Sequence, residues 1–213
     1  MLRAASSAAR QPEVIQEMLA SLLALNGTVF PLPYDAGARI VVEITRYLQL
    51  NKWVGFAARL SPAAIKYALN ITAIEFLEED VPVALAYPST TGINGLPWGL
   101  DRIDQRGRNL DGVFTPGGTG EGVDVYIVDT GVGAGHAEFE SRVDTTRGVN
   151  VYYDRPATDT RDCNGHGSHV AGIVAGRTVG VAKQATIVPI RVYSCASETS
   201  VANIVSGLQA VYD

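Results

Sequence analysis

The 213 residues predict an α/β protein: a partial doubly wound parallel sheet, preceded by a small α+β module. Three observations carry that reading. VDVYIVDTG, residues 123–131, is a near-continuous apolar run, as expected of a strand buried on both faces of a parallel sheet. HVAGIVAG, ATIVPIRVYS and TSVANIVSGLQAVYD follow it, a helix–strand–helix succession that calls for right-handed crossovers on both faces. Ahead of them, ALAYPSTTGINGLP (84–97) combines two prolines, two glycines and small polar side chains, the composition of an exposed linker.

The first module opens with PEVIQEMLASLLAL. Its Val14, Met18, Leu22 and Leu25 stand at helical spacing, and Pro12 sits at the entrance. A Pro- and Gly-rich loop spans Gly27 to Gly37, after which ARIVVEITRYL and KWVGFAARL have the β-branched and aromatic content of two strands. Ser61 and Pro62 supply an N-cap and an N1 proline for the helix AAIKYAL, and AIEFLEEDVPV resumes as a strand reaching Pro82. In the second module the last helix carries Val201, Ile204, Val205, Leu208, Val211 and Tyr212 at i, i+3, i+4, i+7, i+10 and i+11, a stripe expected to lie on the sheet.

Composition limits the function classes. With 46% hydrophobic and 18% charged residues, the chain can bury a core. A net charge of −5 without a Lys/Arg block gives no footprint for nucleic acid or anionic lipid. The longest apolar candidate, Val14 to Leu25, contains Gln16 and Glu17 and is shorter than the roughly 20 residues a bilayer demands, so no membrane partner is expected. MLRAASSAARQPEVIQEML has a basic start but no uninterrupted apolar centre, so no signal peptide is read in it.

The residues that could carry chemistry sit at glycine-rich corners. Asp129 falls at the carboxyl end of VDVYIVDTG, where open α/β sheets collect ligands; it could equally cap a turn. Asp-Thr-Gly after an apolar strand also suits an aspartic protease, which needs a second such carboxylate, available here only from a dimer. His166, between Gly165 and Gly167 at a helix entrance, is placed as a general base would be, with backbone able to approach its ring closely. Cys163 with His169 admits a zinc reading, but a fourth ligand at metal spacing is missing, and His136 reads as a loop residue.

Taken together, VYIVDTGVGAGHAEFESR and DCNGHGSHVAGIVAGRTVGVAK resemble the aspartate and histidine blocks of subtilisin-like serine proteases. PWGLDRIDQR resembles the mature start of the proteinase K-like branch, and NKWVGFAARLSPAAIKYALNITAIEFLEED resembles an inhibitor-type propeptide. The resemblance implies a ferredoxin-like propeptide over residues 1–84 lacking its first strand, a linker with the processing site over 85–97, and the N-terminal half of a subtilisin-like catalytic domain over 98–213. It also implies that Asp129 orients His166 as base for a serine, that Cys163 and Cys195 form a disulfide, and that Ser197, Glu198, Thr199, Ser200 and Val201 form an edge strand for substrate. Ser168 stands where the family usually has Thr.

Polypeptide substrates, the propeptide as intramolecular inhibitor and a secreted location follow from the same resemblance, the last also from the disulfide. The chemistry would need no cofactor. Relatives bind structural calcium, but a complete oxygen-ligand set is not legible here. A Gly-Thr-Ser block is absent from the 213 residues, so both ends are expected to be truncated and the chain alone inactive. A non-catalytic inhibitor or intramolecular chaperone built on the pro-like module is the alternative from another class.

Overall fold

A computed structural model describes residues 2–4, 20, 23–24, 41–50, 53–85 and 97–212. The chain divides into two compact units, one comprising Met1–Val81 with Tyr212–Asp213, the other Pro82–Val211.

In the first unit, β1 (Leu2–Ala4), β2 (Val42–Leu50), β3 (Trp53–Leu60) and β4 (Ile74–Leu77) form one sheet in the order β2-β3-β1-β4. β2 and β3 pair antiparallel from Val42↔Leu60 to Leu50↔Trp53, with a bulge between Ile44 and Arg46. Helix α1 (Pro62–Ala68) begins as its sequence demands: the Ser61 hydroxyl accepts from Ala64 N–H at 3.3 Å, and Pro62 needs no partner at N1. Its Ala63, Ala64 and Ala68 close the core formed by Val42, Val54 and Phe56. Of the helix expected in PEVIQEMLASLLAL, Ala20, Leu23 and Ala24 are helical and the other positions lie outside the described residues.

Two expectations are corrected here. Leu2–Ala4 pair antiparallel with both β3 and β4, so the sheet expected to lack its first strand has a short N-terminal one. Three residues carry no readable period of two, which is why it went unseen. AIEFLEEDVPV is not one strand: β4 stops at Leu77, before the adjacent carboxylates of Glu78, Glu79 and Asp80, and Pro82–Val83 form a separate strand, β5.

The second unit holds α2 (Trp98–Ile103), β6 (Asp124–Asp129), β7 (Val149–Asn150), α3 (His166–Ala175), β8 (Thr186–Arg191), β9 (Thr199–Ser200) and all but the last residue of α4 (Val201–Tyr212). Of the expected linker, residues 86–96 lie outside the described residues. Strands β6, β8 and β7 form an all-parallel sheet in that order, with Asp124↔Thr186 through Asp129↔Arg191 and Asn150↔Arg191 in register. Asp129 therefore lies at the carboxyl edge of the sheet. Side chains alternate between two cores: Val125, Ile127 and Ile187 meet Ala171 and Ala175 of α3, while Tyr126, Val128 and Ile190 meet Ile204 and Val211 of α4. Helices thus cover both faces, the doubly wound arrangement.

Helix α4 is rotated from its expected stripe. Leu208 and Tyr212 are exposed, and the helix approaches the sheet at Gly207. A Cβ there would lie 2.4 Å from Val192 Cγ1. A glycine in the contact face lets the backbone sit closer than a row of large side chains would.

Candidate active site

Where β6 ends, Asp129 is 8% exposed, and its Oδ1 accepts from Thr130 N–H at 2.7 Å. The chain then turns through Gly131 at φ 105°, a left-handed conformation that leaves Val132 N–H donating to Thr160 O at 3.0 Å. The second corner comes from α3. Gly165, at φ 104°, precedes His166, the first residue of the helix. Gly167 lies so close to the first corner that a Cβ on it would stand 2.1 Å from Gly131 O.

These approaches bring His166 Nδ1 to 2.8 and 2.9 Å from Asp129 Oδ1 and Oδ2. A carboxylate has no proton to give, so Nδ1–H donates, and in the neutral ring the lone pair then lies on Nε2. The two side chains are only 12% and 11% exposed, which strengthens the pairing relative to water. Asp129 therefore has an imidazole for a partner within the chain.

The loop before α3 is organised by Asp162. Its Oδ1 accepts from Asn164 N–H at 2.9 Å, Gly165 N–H at 2.8 Å and the Thr130 hydroxyl at 2.9 Å. Its Oδ2 accepts from Ser168 N–H at 2.9 Å and the Ser168 hydroxyl at 2.6 Å. Burial pushes the Asp162 carboxyl up, but the bonds from Gly165, Ser168 and Asn164 outweigh it and hold the group below the usual carboxylate range.

Cys163 and Cys195 form a disulfide with Cα atoms 5.1 Å apart, tying this loop to the segment before β9. Asn164 Nδ2 reinforces the tie by donating to Cys195 O at 3.2 Å and to Ser197 Oγ at 2.8 Å. Beneath the disulfide, the fully buried Arg191 guanidinium donates to both carboxylate oxygens of Asp154, at 2.6 and 2.8 Å. That cation holds the Asp154 carboxyl below the ordinary range. Burial, aided by the negative charge of Asp129, pushes the Tyr193 phenol up.

The edge strand expected over Ser197–Val201 is corrected. Only Thr199 and Ser200 are extended, and Val201 already starts α4. Ser197 takes φ 68°, and Glu198 is exposed. The cause is Ser194, whose hydroxyl accepts from Ala196 N–H at 3.1 Å and Glu198 N–H at 3.0 Å, curling the segment back on itself. Thr199 and Ser200 pair antiparallel with Val83 and Pro82 of β5, and Leu85 packs with Val192 and Tyr193.

The other two histidines stand apart from the pair. His136 Nδ1 accepts from Glu138 N–H at 3.3 Å, and His169 is exposed. Among the described residues no three His, Cys, Asp or Glu side chains converge to hold a metal, and Cys163 is consumed by its disulfide. A groove of about 1030 Å³ lined by Trp98, Leu100, Ile103, Phe139, His169 and Ile173 borders α3, but neither Asp129 nor His166 lines it. Sequence reasoning missed Asp162 as an organising group. The available signal was an acidic residue a few positions ahead of a Gly-rich helix start.

Residues 120–213 match the Subtilase family, Peptidase_S8. The "Extracellular serine proteinase" of Thermus sp. (strain Rt41A) is 35% identical over 202 residues, 94% of this chain and 43% of the relative. The "Alkaline serine exoprotease A" of Vibrio alginolyticus is 38% identical over 159 residues, 74% of this chain and 29% of the relative. The chain therefore spans less than half the length of these curated relatives. The crystal structure of fervidolysin from Fervidobacterium pennivorans, described as a keratinolytic enzyme related to subtilisin, superposes with a TM-score of 0.60 at 19% identity. It covers 97% of this chain and 32% of that one, and shows the shared fold alone. With the Asp129 and His166 corners both inside the matched segment, the chain belongs to the subtilase family, the subtilisin-like serine proteases.

Proposed function

We propose that this chain is part of a secreted serine endopeptidase precursor, in which Asp129 and His166 serve a serine hydroxyl. The observation that carries the reading is the two-oxygen contact of Asp129 with His166 Nδ1 at 2.8 and 2.9 Å. It holds the ring in the tautomer whose Nε2 can take a proton. The serine oxygen would attack the peptide carbonyl as its proton passes to Nε2. The resulting imidazolium, steadied by the Asp129 charge, would then return that proton to the leaving amine. Side chains supply every step, so the chemistry draws on no cofactor. A Gly-Thr-Ser block does not occur within residues 1–213, so the proposal assigns the nucleophile to sequence outside them.

Residues 1–84 would act as propeptide and intramolecular inhibitor, with processing in the 85–97 segment. The pairing of Pro82 and Val83 with Ser200 and Thr199 supports this, because the chain's own backbone occupies the edge where a polypeptide substrate would add a strand. The Thermus similarity covers 94% of the chain and so takes in both units. Secretion is supported by the disulfide and by the extracellular description of that relative. Among the described residues no helix is long and apolar enough to cross a membrane.

The test is to express the complete product of the gene encoding this chain, and to follow peptide hydrolysis and labelling by a serine-directed fluorophosphonate. His166→Ala should lower kcat by about 10⁶-fold. N-terminal sequencing of the mature form should place the cut between residues 85 and 97. An intact product that neither hydrolyses nor labels would overturn the reading.

A further inference from the structure

We propose that Asp162 is a positioning residue for the Asp129–His166 pair: as a centre that can only accept, it sets the direction of two hydroxyl relays that cross-link the turn after β6 to the first turn of α3. The proposal rests on reading that pair as catalytic, but its geometry can be tested without activity.

Five donors converge on Asp162, three on Oδ1 and two on Oδ2, saturating the roughly four lone-pair sites of an ionised carboxylate. Two of them are hydroxyls, and each hydroxyl has one hydrogen. Once Thr130 Oγ–H donates to Oδ1 at 2.9 Å, its oxygen can only accept towards the opposite segment, and Gly167 N–H donates to it at 2.9 Å. Once Ser168 Oγ–H donates to Oδ2 at 2.6 Å, its oxygen likewise accepts, from Gly133 N–H at 2.9 Å.

The two relays run in opposite senses. The first ties the residue after Asp129 to the residue after His166. The second ties α3 back to the same turn at Gly133, three residues beyond Thr130. Both bridge the segments whose side chains form the pair, and Thr130 is wholly buried, so water does not compete for its hydroxyl. A helix cap alone would need only the backbone donors of Gly165 and Ser168. The two hydroxyls go beyond capping, and they make the separation of the corners depend on Asp162 staying an acceptor on both oxygens. Asparagine at this position has nearly the same shape, yet whichever way its amide turns, an N–H₂ faces other donors.

The experiment compares Asp162→Asn, Thr130→Val and Ser168→Ala with the unmodified chain by ¹H NMR, following the low-field Nδ1–H resonance of His166 alongside the urea midpoint. Thr130→Val removes the first relay but leaves the four other donors to Asp162, so it separates positioning from capping and decides the matter if Asp162→Asn fails to fold. Loss of the Nδ1–H resonance, or an at least tenfold faster exchange of that proton, is expected in Thr130→Val and Asp162→Asn. Combining the two should add nothing beyond Asp162→Asn alone, because the relay that Thr130→Val removes is one of the two that Asp162→Asn already disturbs. In the complete product, kcat should fall by up to about 100-fold with KM unchanged. An unaltered Nδ1–H resonance in both folded variants, with only the urea midpoint lowered, would overturn the proposal by reducing Asp162 to a cap. A complete product inactive in every form would sink the catalytic reading alone, and the resonance would still decide the positioning role.

Discussion

Gly167 leaves no room for a side chain, and the shortage of space lies where the two corners meet. A Cβ would stand 2.1 Å from Gly131 O, 3.1 Å from Thr130 Oγ1 and 3.2 Å from Asp129 Cβ. Alanine raises helix propensity by about 1 kcal/mol over glycine, but the nearest obstacle is backbone, and overpacking of this kind costs about 1–3 kcal/mol. Gly167→Ala should therefore lower stability and push α3 away from β6. An NMR spectrum should show the Nδ1–H signal of His166 broadened or gone, and retention of that signal at full strength would refute the argument. The same glycines made the site legible, since Asp129 and His166 each announce themselves by glycines after a strand or around a helix start. Asp162 did not, because its five donors are ordinary hydroxyls and N–H groups that only the fold brings together.

At the scale of elements, the close approach of α4 to the sheet rests on Gly207. Its missing Cβ would lie 2.4 Å from Val192 Cγ1, 3.2 Å from Ile190 Cγ2 and 3.3 Å from Val128 Cγ1, all on β-branched side chains with little freedom to turn aside. Gly207→Ala sets a propensity gain of about 1 kcal/mol against an overpacking cost of about 1–3 kcal/mol. A lower urea midpoint at unchanged m-value is the expected outcome, and a higher midpoint would mean that α4 can slide outward freely. This contact also explains what could be read beforehand. β6 and β8 were legible as near-continuous apolar runs, α3 as the apolar segment after a glycine-rich corner, and α4 as a stripe at helical spacing. The angle of α4 was not, since a glycine reads as neutral in a hydrophobic stripe although here it marks the contact face. β7, with two residues, and β1, with three, are too short to carry any period, and the four-residue β4 was read too long because Pro82–Val83 are extended as well. The edge strand was overextended for a comparable reason: Ser194 closes a local turn that competes with pairing, which extended-looking sequence does not reveal.

For the molecule as a whole, the carboxylates determine how stability responds to acid. Asp162 is held below the ordinary range despite its burial, Asp154 by the Arg191 guanidinium, Glu138 by bonds from Thr178, and Asp124 and Asp144 by bonds that include Arg147. Every one of these shifts is downward. A carboxyl depressed in the folded state contributes stability that is fully present above its unfolded value, near 4, and lost as pH falls through its folded value. Stability should therefore be nearly flat from pH 7 to about 5 and decline steeply below about 4, where the 17 Lys and Arg residues lose their counter-charges. Salt separates the contributors. The Arg147 pairs are solvent-exposed, and added salt should screen them, in keeping with the small worth of surface ion pairs. Asp162 is held by uncharged donors that salt does not screen, and Arg191 pairs from a fully buried position. Urea unfolding at pH 7 and pH 3, in low salt and in roughly 1 M salt, should show an acid loss that persists in high salt and shrinks in Asp162→Asn more than in Asp144→Asn. An acid response that salt abolishes, or that Asp162→Asn leaves unchanged, would place the sensitivity in the exposed pairs instead.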